Sequence, residues 1–272
     1  MTINEIAGIE ILAGLGGHQN TVYRVLDGQR TRVLRVTDAR HRSLEDLKAV
    51  HLLMGDLADL TDLVHGPVPF PSGESVISLT HDGRPHHATL SPYFSGDPIA
   101  VDTQNGAQVF GRILAELHRA MHDLTSVYEL SALPPAGGGQ VLIHGDFNPS
   151  NVLVSGQRTA IIDFENACYA SVPYELGNTI YMVLFDFRHD IETFITSGLK
   201  DGFIRGYRSI EYVNPEAIRA CFDRRVFLLK GWLEDYESAP LVISSADDVW
   251  KRELTDFVLG HEKGNFDAIW SD

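Results

Sequence analysis

Residues His144–Asn151 read His-Gly-Asp-Phe-Asn-Pro-Ser-Asn, and the apolar run Ala160-Ile161-Ile162 ends in Asp163, twelve positions beyond Asn151. The pattern constrains the local fold: a strand over 141–144 delivers a loop, and strands over 152–154 and 160–163 return as a hairpin. Asp146, Asn151 and Asp163 are thereby brought close in space. Their chemical types fit phosphoryl transfer. A hydroxyl acceptor needs a carboxylate to orient it and take its proton, which suits Asp146. A polyphosphate travels with Mg2+, a hard ion that prefers oxygen ligands, which suits Asn151 and Asp163. Each residue alone reads as turn or strand-end chemistry; the three around one hairpin read as a site.

The segments before this hairpin are mostly strands. Gly8–Leu12 is a short apolar strand, followed by the loop Gly14-Leu15-Gly16-Gly17-His18-Gln19-Asn20. Thr21–Leu26 and Thr31–Thr37 are rich in β-formers, and Asp27-Gly28 between them signals a hairpin. Leu44, Leu47, Val50, Leu53, Leu57 and Leu60 recur at helical spacing behind a Ser43/Asp46 capping box. Strands over 75–80 and 87–94 complete a small antiparallel sheet. Ser95-Gly96-Asp97-Pro98 reads as the connection to a second part, which opens with a helix carrying Val109, Ile113, Leu114, Leu117 and Met121. Beyond Asp163 the chain reads as helical, with breaks near Gly202, Pro215 and Pro240. The expected class is α+β with two lobes: a β-rich nucleotide-covering lobe over 1–94 and a larger, mostly helical lobe over 95–272 that binds the acceptor.

In this order the pieces resemble the aminoglycoside phosphotransferase and choline kinase-like superfamily, whose fold is that of the protein kinases. The His144–Asn151 and Ile161–Ala167 segments carry the resemblance. It implies that Asp146 is the catalytic carboxylate, that Asn151 and Asp163 ligate magnesium, and that His144 braces the loop. Tyr174-Glu175-Leu176 resembles a family element written Tyr-Asp-Leu; Glu175 departs from it and receives no catalytic role. The expected activity is ATP-dependent phosphorylation of a small-molecule hydroxyl, with GTP as the alternative donor. A protein Ser/Thr kinase and a non-catalytic nucleotide-binding module are the competing readings.

Within that reading, Gly16, Gly17 and Asn20 are expected to let backbone amides approach phosphate oxygens. Arg35, in Val33-Leu34-Arg35-Val36, stands where such enzymes usually have a phosphate-gripping lysine. Its planar fork of donors differs from an ammonium, and its helix partner is Glu45 or Asp46. Tyr93 lies in the segment expected along the adenine edge. His118 and His122, one helical turn apart, have zinc-compatible spacing, but no further ligand accompanies them, so packing is expected. Tyr181, Phe185, Phe187 and Tyr207 likewise read as core.

Charge narrows the partners. A net charge of −15 argues against a nucleic-acid surface. The acidic surplus is denser beyond residue 163, where it would attract a cationic acceptor such as an amino sugar. The first residues lack the basic start and apolar core of a secretion signal, no run is long enough for a membrane span, and two cysteines suggest no disulfide framework, so a cytoplasmic location without membrane partners is expected.

Overall fold

The computed structural model describes residues 2–16, 20–133, 139–244 and 246–271. It divides into two units, one of residues 1–96, 124–130 and 157–161, the other of 97–123, 131–156 and 162–272.

The first unit holds β1 (Ile9–Gly16), β2 (Asn20–Asp27), β3 (Arg30–Asp38), α1 (Leu44–Ala58), β4 (Val76–His81) and β5 (Arg84–Pro92). The strands form an antiparallel sheet in the order β1-β2-β3-β5-β4. The Asp27-Gly28 signal marks the β2–β3 turn: Asp27 pairs with Arg30, and Gly28 takes a φ of +61° that a side chain would resist. Leu34 and Val36 on β3 are buried in a core with Val25, Ile77, Leu79, Ala88 and Leu90. Strand alternation puts Arg35, between them, on the opposite face. The capping box of α1 forms as its residues predict: Ser43 Oγ accepts from Asp46 N at 3.0 Å and Asp46 Oδ2 from Ser43 N at 3.2 Å.

The chain continues through β6 (Asp97–Pro98), α2 (Gln104–His122), β7 (Val141–Ile143), β8 (Val152–Ser155) and β9 (Arg158–Ile161). There follow β10 (Cys168–Ala170), α3 (Val172–Asp186), α4 (Ile191–Thr196), α5 (Leu199–Arg208), α6 (Pro215–Glu234), α7 (Leu241–Ser244) and α8 (Asp248–Glu262). β9 groups with the first unit, where Ile161 bridges Val64. In the second unit β6 pairs with β8, and β7 with β10. α2 packs on α5, α3 on α6, and α6 on α8. The architecture is thus the expected one of an antiparallel sheet followed by a mostly helical remainder.

Two expectations are corrected. Strand β10 lies in the stretch read as wholly helical; it exists because Cys168–Ala170 supply backbone partners for β7. The break expected near Gly202 falls at Ser197 and Gly198, between α4 and α5, while Gly202 itself lies inside α5 and serves close packing. A Cβ at Gly202 would strike the Gln104 carbonyl of α2, one at Gly206 the Gln108 carbonyl, and one at Gly111 the Phe203 carbonyl of α5. Pro215 and Pro240 do stand at helix starts, the first as the opening residue of α6 and the second just before α7. Among the described residues no helix is long and apolar enough to cross a membrane.

Candidate active site

The chain leaves β7 at Ile143 and enters the loop through Gly145, whose φ is +81°. A Cβ there would meet the Asn166 carbonyl, so both conformation and space require glycine. The loop backbone is anchored by Glu175, in the first turn of α3, where the helix dipole favours a carboxylate. Its two oxygens accept from His144 N at 3.0 Å and Gly145 N at 2.5 Å. His118 Nε2, on α2, lies 2.6 Å from the same carboxylate, and His118 Nδ1 lies 2.8 Å from the Tyr207 hydroxyl on α5. Burial pushes the Glu175 carboxyl up, but the hydrogen bond and charge of His118 and the Gly145 amide outweigh it and hold the group below the ordinary glutamate range. Three elements are therefore tied to one loop through a buried carboxylate.

His144, fully buried, braces the same loop. Its Nε2 donates to the Ile162 carbonyl at 3.0 Å and its Nδ1 accepts from Asp146 N at 3.3 Å, an arrangement that sets the Nε2–H tautomer. Asp146 is held by the two loop asparagines. Asn148 Nδ2 donates to Oδ1 and Asn151 Nδ2 to Oδ2, each at 3.3 Å, and Asn151 Nδ2 also reaches the Asp146 carbonyl at 2.9 Å. Burial pushes the Asp146 carboxyl above the ordinary aspartate range. The negative charge of Asp163 adds to that shift, and Asn148 and Arg225 oppose it.

Asp163 follows β9 in the left-handed conformation, with φ 68° and ψ 58°. The amide of its neighbour Ile162 donates to the Asn151 carbonyl at 2.9 Å, fixing the Asp163 segment beside Asn151. Asp146, Asn151 and Asp163 thus converge. Because the Asn151 side-chain nitrogen is turned toward Asp146, its oxygen is left for another partner. Among the described residues no group of three or more His, Cys, Asp or Glu side chains forms a metal cage. One amide oxygen and one or two carboxylates suit Mg2+, which takes its remaining ligands from phosphate and water.

The first unit carries the remaining candidates. Gly16 closes β1 with a φ of +86°, and Gly17 lies outside the described residues. Asn20 opens β2 opposite Thr37. Arg35 pairs with Val22 on β2 and Thr89 on β5. Of its two expected helix partners, Asp46 is engaged in the α1 cap. Tyr93 follows β5, with the Arg24 guanidinium 5.9 Å from its ring centroid.

The Glu175–His118–Tyr207 chain was missed in the sequence. Its one local signal was the resemblance of Tyr174-Glu175-Leu176 to Tyr-Asp-Leu. The partners stand 57 and 89 residues from His118, beyond any spacing rule. His118 is buried, and His122, one turn on, is exposed.

A model of the phosphotransferase enzyme family matches residues 10–127 and 127–219. The chain belongs to that family and is, in class, a phosphotransferase. No curated protein matches the sequence. Solved structures share the fold. An amicoumacin kinase in complex with AMP-PNP, Ca2+ and Ami superposes with a TM-score of 0.72 at 14% identity, over 94% of this chain and 88% of that one. A microcompartment-associated aminopropanol kinase gives 0.71 at 17%, over 94% and 93%. A choline/ethanolamine kinase family protein from Mesorhizobium loti gives 0.58 at 16%, over 98% and 92%.

Proposed function

We propose that the protein transfers the terminal phosphoryl group of ATP, with GTP as the alternative donor, to the hydroxyl of a small molecule. The observation that carries this reading is the half-buried Asp146 carboxylate, gripped by two asparagines of its own loop with Asp163 beside it. In the reaction Asp146 orients the acceptor hydroxyl and takes its proton as the new oxygen–phosphorus bond forms and the bond to the leaving nucleotide breaks. Asn151 and Asp163 would hold Mg2+, which when bound neutralises phosphate oxygens. His144 and Glu175 keep the loop in position, and most of the acceleration comes from placement and charge. In the first unit, Gly16, Gly17, Asn20 and Arg35 are assigned to the phosphates and Tyr93 to the adenine edge. The denser acidic surplus of the C-terminal half favours an amine-bearing alcohol, such as an amino sugar or aminoglycoside.

Acceptor-stimulated ADP release, screened over amino sugars, aminoglycosides and amino alcohols, tests the activity. Asp146→Asn should lower turnover by at least ~10²-fold while leaving ATP affinity nearly intact, because it removes the base and not the nucleotide ligands. Unchanged turnover in that variant would remove Asp146 from the chemistry.

A further inference from the structure

Arg225 has no part in the proposed reaction, yet its charge acts on Asp146. It lies on α6, which packs against α3, and its guanidinium carbon is 5.3 Å from the Tyr181 ring centroid on α3 and 5.1 Å from that of Trp232 on α6. Among the described residues it makes no ion pair and no hydrogen bond, and its Nε is buried without a partner. Asn178 stands on the same stripe of α3 as Tyr174 and Tyr181. Its Nδ2 donates to the Gly145 carbonyl at 3.4 Å, while its Oδ1 is buried and unpartnered. The facing helices therefore leave over one strong donor and one acceptor next to the catalytic loop.

We propose that Arg225 binds a carboxylate on the acceptor, so that the substrate is a small hydroxy acid. Aromatic faces that in other proteins enclose a ligand cation are here covered by the chain's own guanidinium. A ligand ammonium would be repelled at that spot, whereas a carboxylate matches the planar fork. The site is compatible with an amine elsewhere on the same molecule, since the net charge acts at long range and Arg225 at contact.

This inference rests on the phosphotransferase reading, and its test separates the two. Acceptor-stimulated ADP release would be compared for pairs that differ by one carboxylate: serine with ethanolamine, threonine with 1-amino-2-propanol, and homoserine with 3-amino-1-propanol. The wild type should favour the carboxylated member by at least ~10-fold in kcat/KM, and Arg225→Lys, which keeps the charge and loses the fork, should cut that preference about tenfold. Preference for the decarboxylated members, or an equal loss on both in the variant, overturns the assignment. A readout independent of turnover is the Arg225 Nε–H resonance, assigned by its disappearance in Arg225→Lys. Glycerate should shift it and glycerol should not. ATP binding without a glycerate shift sinks the anion site alone; no ATP binding at all removes the phosphotransferase reading and this inference with it.

Discussion

Asp146 and Asp163 place two half-buried negative charges beside one another, and each charge has a measurable consequence. Burial, reinforced by Asp163, makes the Asp146 carboxyl hold its proton to a higher pH than an ordinary aspartate. The base exists only in the ionised form, so activity should rise with pH through a point above the usual value of ~4. The acid limb of the kcat/KM profile checks this, and an inflection at or below ~4 contradicts it. Asp163→Asn keeps the size of the side chain and tolerates the left-handed backbone, but replaces the proposed charged metal ligand by a neutral one. Its affinity for Mg-ATP should fall by roughly tenfold or more, and calorimetry giving wild-type affinity would exclude Asp163 from the metal shell.

Between elements, glycines mark where backbone meets backbone. At the α2–α5 crossing Gly111, Gly202 and Gly206 each face a carbonyl of the other helix, whereas Gly55 in α1 has open space around its Cβ position. The same substitution should therefore have opposite signs. Gly206→Ala should cost about 3 kcal/mol, since main chain must move, and Gly55→Ala should add ~0.5–1 kcal/mol through helix propensity. Denaturant midpoints of the two variants decide the matter. The crossing also shows where legibility stopped. Local chemistry was readable: the α1 capping box and the Asp27-Gly28 turn follow from neighbouring residues, whereas β1 runs to Gly16 through residues that read as loop. The packing role of Gly202 was not legible, because its reason is a carbonyl nearly a hundred residues away. The approach of Asp146, Asn151 and Asp163 was legible because one short hairpin contains them. The anchoring by Glu175 and His118 was not, because it is assembled from separate helices.

At the level of the whole molecule, nucleotide and metal should act on stability together. Ligand that binds only the folded chain stabilises it by mass action. At about 100 times the dissociation constant this amounts to ~2.7 kcal/mol, or a rise in Tm of roughly 5 °C. Mg-ATP should produce that rise, and EDTA should remove most of it, since metal ligands and phosphates are proposed to bind as one unit. A shift insensitive to EDTA in thermal melts would separate nucleotide binding from Asn151 and Asp163. The helices of the second unit are held by apolar contacts and by hydrogen bonds such as the Glu175 anchor.

The left-handed backbone at Asp163 has a practical corollary for anyone evolving this protein. Among the described residues only Asp82 shares a positive φ without being glycine, and the conformation is disfavoured for a side chain by about 1–2 kcal/mol. Libraries sorted for heat resistance alone will drift at position 163 toward glycine or asparagine. On the proposed metal role of Asp163, such winners would survive hot incubation with weakened Mg-ATP binding, so a screen that does not also score turnover will enrich impaired proteins.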